Sequence, residues 1–161
     1  MVKTDSILAS PVSERIKALA QGMPLRVLVV DDDDIERLLL ADRLLAHGFE
    51  VTAVSNGREA LEVLDKEWFP VILTDRQMPE IDGIELTEKL RASGVTDTYV
   101  IMLTVKDSEI DYERGYLAGV DDYLSKKQPT TDLLARTHAA FSTIALRRSL
   151  KEARAALAAK G

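Results

Sequence analysis

The amino-acid sequence predicts an α/β protein in which five parallel strands form one doubly wound sheet. Three observations point there. Short runs rich in Val, Ile and Leu alternate five times with longer amphipathic stretches. Most of these runs lack polar alternation, as expected of strands covered by helices on both faces. A composition of 46% hydrophobic and 30% charged residues over 161 positions suits one globular domain with some tail.

The elements follow in chain order. Residues 1–24 are expected to form an N-terminal extension with a short helix, capped by Ser10, carrying Pro11 in its first turn and ending at Gly22 before Pro24. The domain proper is expected over residues 25–145. Its strands are RVLVV (26–30), FEVTAV (49–54), VILTD (71–75), YVIMLT (99–104) and DYLS (122–125). The first helix is expected from Asp34 to His47, with Asp34 as N-cap, Ile35, Leu38, Leu39 and Leu45 facing inward, and Gly48 as the stop. Further helices are expected to start near Gly57, Asp82, Asp107 and Thr130. The last runs about 30 residues without Gly or Pro. Its front half offers Leu133, Leu134, Thr137, Phe141 and Ile144 to the core. Residues 146–161 continue it as a linker in which Leu146, Leu150, Ala153 and Leu157 follow the spacing of a coiled-coil seam.

Bulk properties exclude several classes. A net charge of −6 without a Lys/Arg stripe argues against direct nucleic-acid binding, which needs clustered positive charge. The absence of cysteine rules out disulfides and thiolate metal sites, and two histidines are too few for a zinc cage. No apolar stretch reaches the roughly 18 residues of a membrane span, and the N-terminus lacks a signal-peptide core. A cytoplasmic protein without membrane association is expected.

Ligands of open parallel sheets bind outside the carboxyl ends of the strands. Asp31, Asp32 and Asp33 follow the first strand, Asp75 closes the third, Thr104 closes the fourth, and Lys126 stands just past the fifth. Carboxylates gathered so closely repel one another and raise each other's pKa, and a hard divalent cation relieves that repulsion. Mg²⁺ takes such oxygens and leaves positions open for a phosphate. A carboxylate beside the metal can attack phosphorus to give an acyl phosphate, and Asp75 is the natural candidate. A hydroxyl from Thr104 and an ammonium from Lys126 would bind the remaining phosphoryl oxygens.

The segments V-L-V-V-D-D (27–32), T-D-R-Q-M-P-E-I-D-G (74–83), I-M-L-T (101–104) and D-Y-L-S-K (122–126) together resemble the receiver domain of two-component response regulators. The resemblance covers about residues 25–145 with motif order and spacing kept. It implies a flavodoxin-like fold of the receiver type and a phosphoacceptor domain rather than an enzyme, with self-catalysed phosphotransfer and dephosphorylation. It implies that Asp75 accepts a phosphoryl group from a sensor histidine kinase or phosphotransfer protein. Asp32, Asp75 and the backbone carbonyl of Gln77 become direct Mg²⁺ ligands, and Asp31 a ligand through water. Thr104 and Tyr123 become the switch pair, which alters the surface formed by helix 4, strand 5 and helix 5. That surface or the extended helix 5 would support a homodimer or drive an output domain beyond this chain, for which a diguanylate cyclase is one analogy. Asp33 and Asp34 inherit no such role and are read as charge favourable at a helix N-terminus. Met78, Pro79, Asp82 and Gly83 are read as loop and helix-start residues without chemistry.

Two positions depart from the family pattern. Lys127 follows Lys126 where receivers carry proline, often after a cis bond. A cis bond before a non-proline residue costs about 2.5 to 4 kcal/mol, so a trans or rearranged loop is expected and Lys127 could substitute for Lys126. Val105 replaces a small residue and is expected to crowd the phosphoryl group and slow its transfer. Gln77 and Lys106 stand where relatives tune acyl-phosphate lifetime. One alternative is a phosphate-independent scaffold or dimerisation module, which the intact set of Asp31, Asp32, Asp75, Thr104 and Lys126 opposes. The other, a haloacid-dehalogenase-like phosphatase, lacks its nucleophile motif and has the lysine and acidic motifs in the wrong order.

Overall fold

The computed structural model describes residues 22–105 and 109–161. Five strands, β1 (Arg26–Val30), β2 (Glu50–Val54), β3 (Val71–Asp75), β4 (Tyr99–Thr104) and β5 (Asp122–Ser125), alternate with α1 (Asp34–Leu45), α2 (Gly57–Lys66), α3 (Gly83–Ala92), α4 (Glu109–Ala118) and α5 (Thr130–Ala159). The strands pair in parallel in the order β2-β1-β3-β4-β5. The expected strands agree to within one residue, β2 starting at Glu50 rather than Phe49.

Alternate side chains of each central strand enter two separate cores. Val27, Val29, Val71, Leu73, Ile101, Leu103 and Leu124 pack with Leu40 and Leu44 of α1 and Leu133, Phe141 and Ile144 of α5. Leu28, Val30, Ile72, Val100, Met102 and Tyr123 pack with Ala60, Ile84, Leu86, Leu90 and Ala118 from α2, α3 and α4. This period of two assigns α1 and α5 to one face and the other three helices to the opposite face. Every residue of β3 is buried, whereas the edge strand β2 is half open.

The first helix differs from expectation in two ways. Its N-cap is Asp33, not Asp34: the Asp33 carboxylate accepts from the backbone N–H groups of Ile35 and Glu36 at 2.9 Å. The inward face is formed by Leu40, Ala41 and Leu44, while Leu38 is 62% exposed and Ile35, Leu39 and Leu45 also face outward. Seven apolar residues in eleven positions leave the helix without a unique apolar stripe, and the direction in which the chain leaves β1 decides which side is buried. The helix also ends at Leu45 rather than His47, with Gly48 at a φ of 88° after it. Asp82 caps α3 through Glu85 N. No cis peptide occurs among the described residues, in keeping with the expected trans loop after Lys126.

The front half of α5 is a packed helix, with Phe141 stacked on Phe49 at 5.4 Å between ring centroids. Leu133, Thr137, Phe141 and Ile144 are buried as expected and Leu134 is half-buried. Arg147 reaches Asp121 at 3.2 Å, and the Arg148 guanidinium lies 4.5 Å from the Trp68 ring centroid. Residues 151–161 are exposed, so the helix runs on beyond the body of the sheet. Among the described residues, no helix is long and apolar enough to cross a membrane. The expected N-terminal helix with Ser10 and Pro11, the Asp107 helix start and Lys106 lie outside the described residues.

Candidate functional site at the carboxyl ends of the strands

The site forms where β1 leads to β2 on one side and lies beside β3 on the other, the crevice left by a reversal of strand order. Register places its members. Val30 pairs with Thr74, so the next residues, Asp31 and Asp75, leave the sheet side by side. Thr104 pairs with Ser125, which brings Lys126 to the same edge. Residues 95 positions apart in sequence thus meet: Lys126 Nζ is 3.1 Å from Asp31 Oδ2.

Lys126 also lies 3.1 Å from Asp75 Oδ2 and forms an ion pair with Glu36 from the first turn of α1. Lys127, the possible substitute, is exposed. Asp31 is 1% exposed; its Oδ1 accepts from Asp33 N at 2.9 Å and its carbonyl accepts from Arg37. Asp75 is buried, and its Oδ1 accepts from Gln77 N at 3.4 Å. Asp32 is exposed beside them, and ligand oxygens of Asp31, Asp32 and Asp75 all lie within 4.8 Å of one another. Three hard oxygen donors at that spacing, two of them buried, fit a divalent cation such as Mg²⁺.

Electrostatics follow from burial. Removal from water pushes the carboxyls of Asp31 and Asp75 up from their ordinary value, and Lys126 pulls both in the opposite sense. Burial also works against the charged form of Lys126, but Glu36, Asp31 and Asp75 outweigh it and hold the ammonium above the ordinary lysine value.

The remaining expected residues divide between this edge and the core behind it. Thr104 is buried at the end of β4, and its carbonyl accepts from Lys126 N at 2.9 Å, tying the lysine loop to β4. Val105 is 62% exposed at the rim. Gln77 is exposed on the loop after β3. Gly83 sits against this loop because a Cβ there would stand 2.3 Å from the Asp75 carbonyl oxygen. Tyr123 is buried within the second core, edge-on to Tyr112 and Tyr116. Its hydroxyl fills the space over Gly115, where an added Cβ would come within 1.4 Å of it.

Two features were not read from the sequence. Glu36 is a contact of Lys126, signalled only by its place in the first turn after the acidic run. Gly115 lies in the middle of a helix, where glycine costs about 1 kcal/mol relative to alanine and so calls for a packing reason.

Comparison with known proteins matches residues 27–138 to the response regulator receiver domain. Over 117 residues the chain is 39% identical to response regulator MprA of Mycolicibacterium vanbaalenii, covering 73% of this chain and 50% of that protein. The chain spans about half the length of the curated relatives it matches. Among solved structures, the receiver domain of Francisella response regulator 1452 superposes with a TM-score of 0.69 at 31% identity, covering 73% of this chain and 97% of that one. Chemotaxis protein CheY4 of Vibrio cholerae gives 0.69 at 31% identity, covering 71% and 97%.

Proposed function

Because the chain belongs to the receiver domain family of two-component response regulators, a family of signalling domains, we propose that Asp75 is its phosphoacceptor. The observation that carries this reading is the meeting of Asp31, Asp75 and Lys126 at one strand edge, with Asp32 beside them. The donor is a phosphohistidine on a sensor kinase or phosphotransfer protein, which makes a cytoplasmic location the natural one. One Asp75 carboxylate oxygen attacks phosphorus, an O–P bond forms, and the P–N bond breaks with its electron pair leaving on the histidine nitrogen. The domain supplies its own groups for this transfer and for later hydrolysis of the acyl phosphate.

Asp32, Asp75 and the Gln77 carbonyl would hold Mg²⁺, with Asp31 acting through water. When bound, the metal neutralises charge on the phosphoryl oxygens. Thr104 donates a hydrogen bond and Lys126 a charge-assisted one to those oxygens. Thr104 moves toward the phosphoryl group and Tyr123 turns into the space it leaves, which changes the face formed by α4, β5 and α5. Residues 25–145 form the receiver, and residues 146–161 carry the change onward, as a parallel coiled coil between two copies or into an output domain. The exposure of Leu146, Leu150 and Leu157 supports that role for the helix.

The test is intact mass after incubation with Mg²⁺ and acetyl phosphate, beside Asp75→Asn. A phosphoryl adduct on the parent alone is the expected result. An adduct on both proteins rejects Asp75 as acceptor, and failure of both acetyl phosphate and a sensor kinase to label the parent rejects the receiver chemistry.

A further inference from the structure

The Lys126 ammonium has three N–H donors, and three carboxylates surround it: Asp31, Asp75 and Glu36. Their situations differ. The side chains of Asp31 and Asp75 are 1% and 9% exposed and belong to the carboxylate group that can hold a cation, whereas that of Glu36 is 48% exposed and lies outside that group. A bound metal would engage Asp31 and Asp75, and phosphorylation would consume an Asp75 oxygen; neither event gives Glu36 another partner. Its neighbour Arg37 does not relieve it, since that guanidinium is turned to the Asp31 carbonyl and to Asp34. Glu36 is held in place by its backbone N–H, which donates to the Asp33 cap at 2.9 Å. It also lines the same cavity wall as Asp31 and Lys126.

We propose that Glu36 is a positioning residue that keeps one Lys126 donor on α1 and so competes with the incoming phosphoryl group for the ammonium. This rests on the assignment of Asp75 and Lys126 above. A phosphoryl oxygen must replace a carboxylate on Lys126, and Glu36 adds a fixed negative charge next to the dianion that arrives. Neutralising Glu36 therefore strengthens phosphoryl binding, and Glu36→Gln is the decisive variant because its amide oxygen still accepts from Lys126 while the charge is gone. A purely structural tether predicts the reverse: Glu36→Gln unchanged and Glu36→Met, which removes the acceptor, weaker.

The experiment titrates beryllium fluoride, an acyl-phosphate mimic, into the Mg²⁺-loaded full chain. The parent, Glu36→Gln, Glu36→Met and Asp75→Asn are compared, and acetyl phosphate labelling rates are recorded in parallel. Expected is binding about two- to fivefold tighter in both Glu36 variants, the range of a partly exposed ion pair, with labelling faster by a similar factor. Glu36→Gln binding no tighter than the parent overturns the proposal while leaving Asp75 in place. Equal labelling of the parent and Asp75→Asn overturns instead the assignment on which it rests.

Discussion

At the scale of single residues, burial decides which groups respond to pH. His138 packs against Phe49 at 5.4 Å between ring centroids, and its Nδ1 is buried without a hydrogen-bond partner among the described residues. Burial lowers its pKa from 6.5, with His47 adding to the effect. The unfolded chain therefore binds a proton more readily than the folded one. The resulting stability is fully present above pH 6.5 and falls as pH drops toward the depressed folded value. In urea unfolding at a series of pH values, the stability difference between His138→Leu and the parent should shift in favour of the variant below pH 6.5 and stay flat above it. Asp31 and Asp75 act with the opposite sign. Their folded values are raised from 3.8, so in the metal-free protein each costs stability as pH rises from there through the folded value. A cation that binds only the folded state offsets this cost: at a hundred times its Kd it should raise stability by about 2.7 kcal/mol. The gain in thermal midpoint on adding Mg²⁺ should be present in the parent and much reduced in Asp75→Asn.

At the scale of elements, the two faces of α1 give opposite expectations. Leu44 is fully buried, so Leu44→Ala should cost about 2 to 5 kcal/mol in urea unfolding, whereas Leu38→Ala on the outer face should stay within about 0.5 kcal/mol. Had the inward stripe been Ile35, Leu38, Leu39 and Leu45, the order would be reversed. Helix α4 and strand β5 meet through Tyr123, whose ring lies edge-on to Tyr112 and Tyr116 and whose hydroxyl lies over Gly115. Gly115→Ala should therefore expel the Tyr123 ring from its inward placement. The measurable results are a shifted Tyr123 ring resonance by NMR and a loss of about 1 to 3 kcal/mol, as for other overpacked sites.

At the scale of the whole molecule, α5 has two parts with different surroundings. Up to Arg148 it is held by the core, the Arg147–Asp121 ion pair and Trp68; Leu150 borders a cavity also lined by Arg91 and Asp121, and residues 151–161 are exposed. Removal of residues 149–161 should leave the thermal midpoint within about 2 to 4 °C of the parent, the shift expected of about 1 kcal/mol. Sedimentation velocity on the phosphorylated full chain should show a dimer that the truncated chain does not form. A phosphorylated full chain that stays monomeric at high concentration contradicts the coiled-coil role.

What the sequence determined by itself is whatever local pattern controls. Consecutive β-branched and aliphatic runs specify five strands, because buried parallel strands need no polar alternation. Carboxylates placed directly after β1 and at the end of β3, with a threonine closing β4 and a lysine just after β5, specify a shared edge, because parallel strands deliver their carboxyl ends to the same side. Tertiary structure decided what depends on direction and close contact. The inward face of α1 was not legible, because its leucines surround most of the helix and the geometry after Asp33 selects among them. The pairing of Glu36 with Lys126, 90 residues apart, and the fit of Tyr123 over Gly115 were equally hidden. Such contacts follow from how helices settle onto a sheet, and no local spacing encodes that docking.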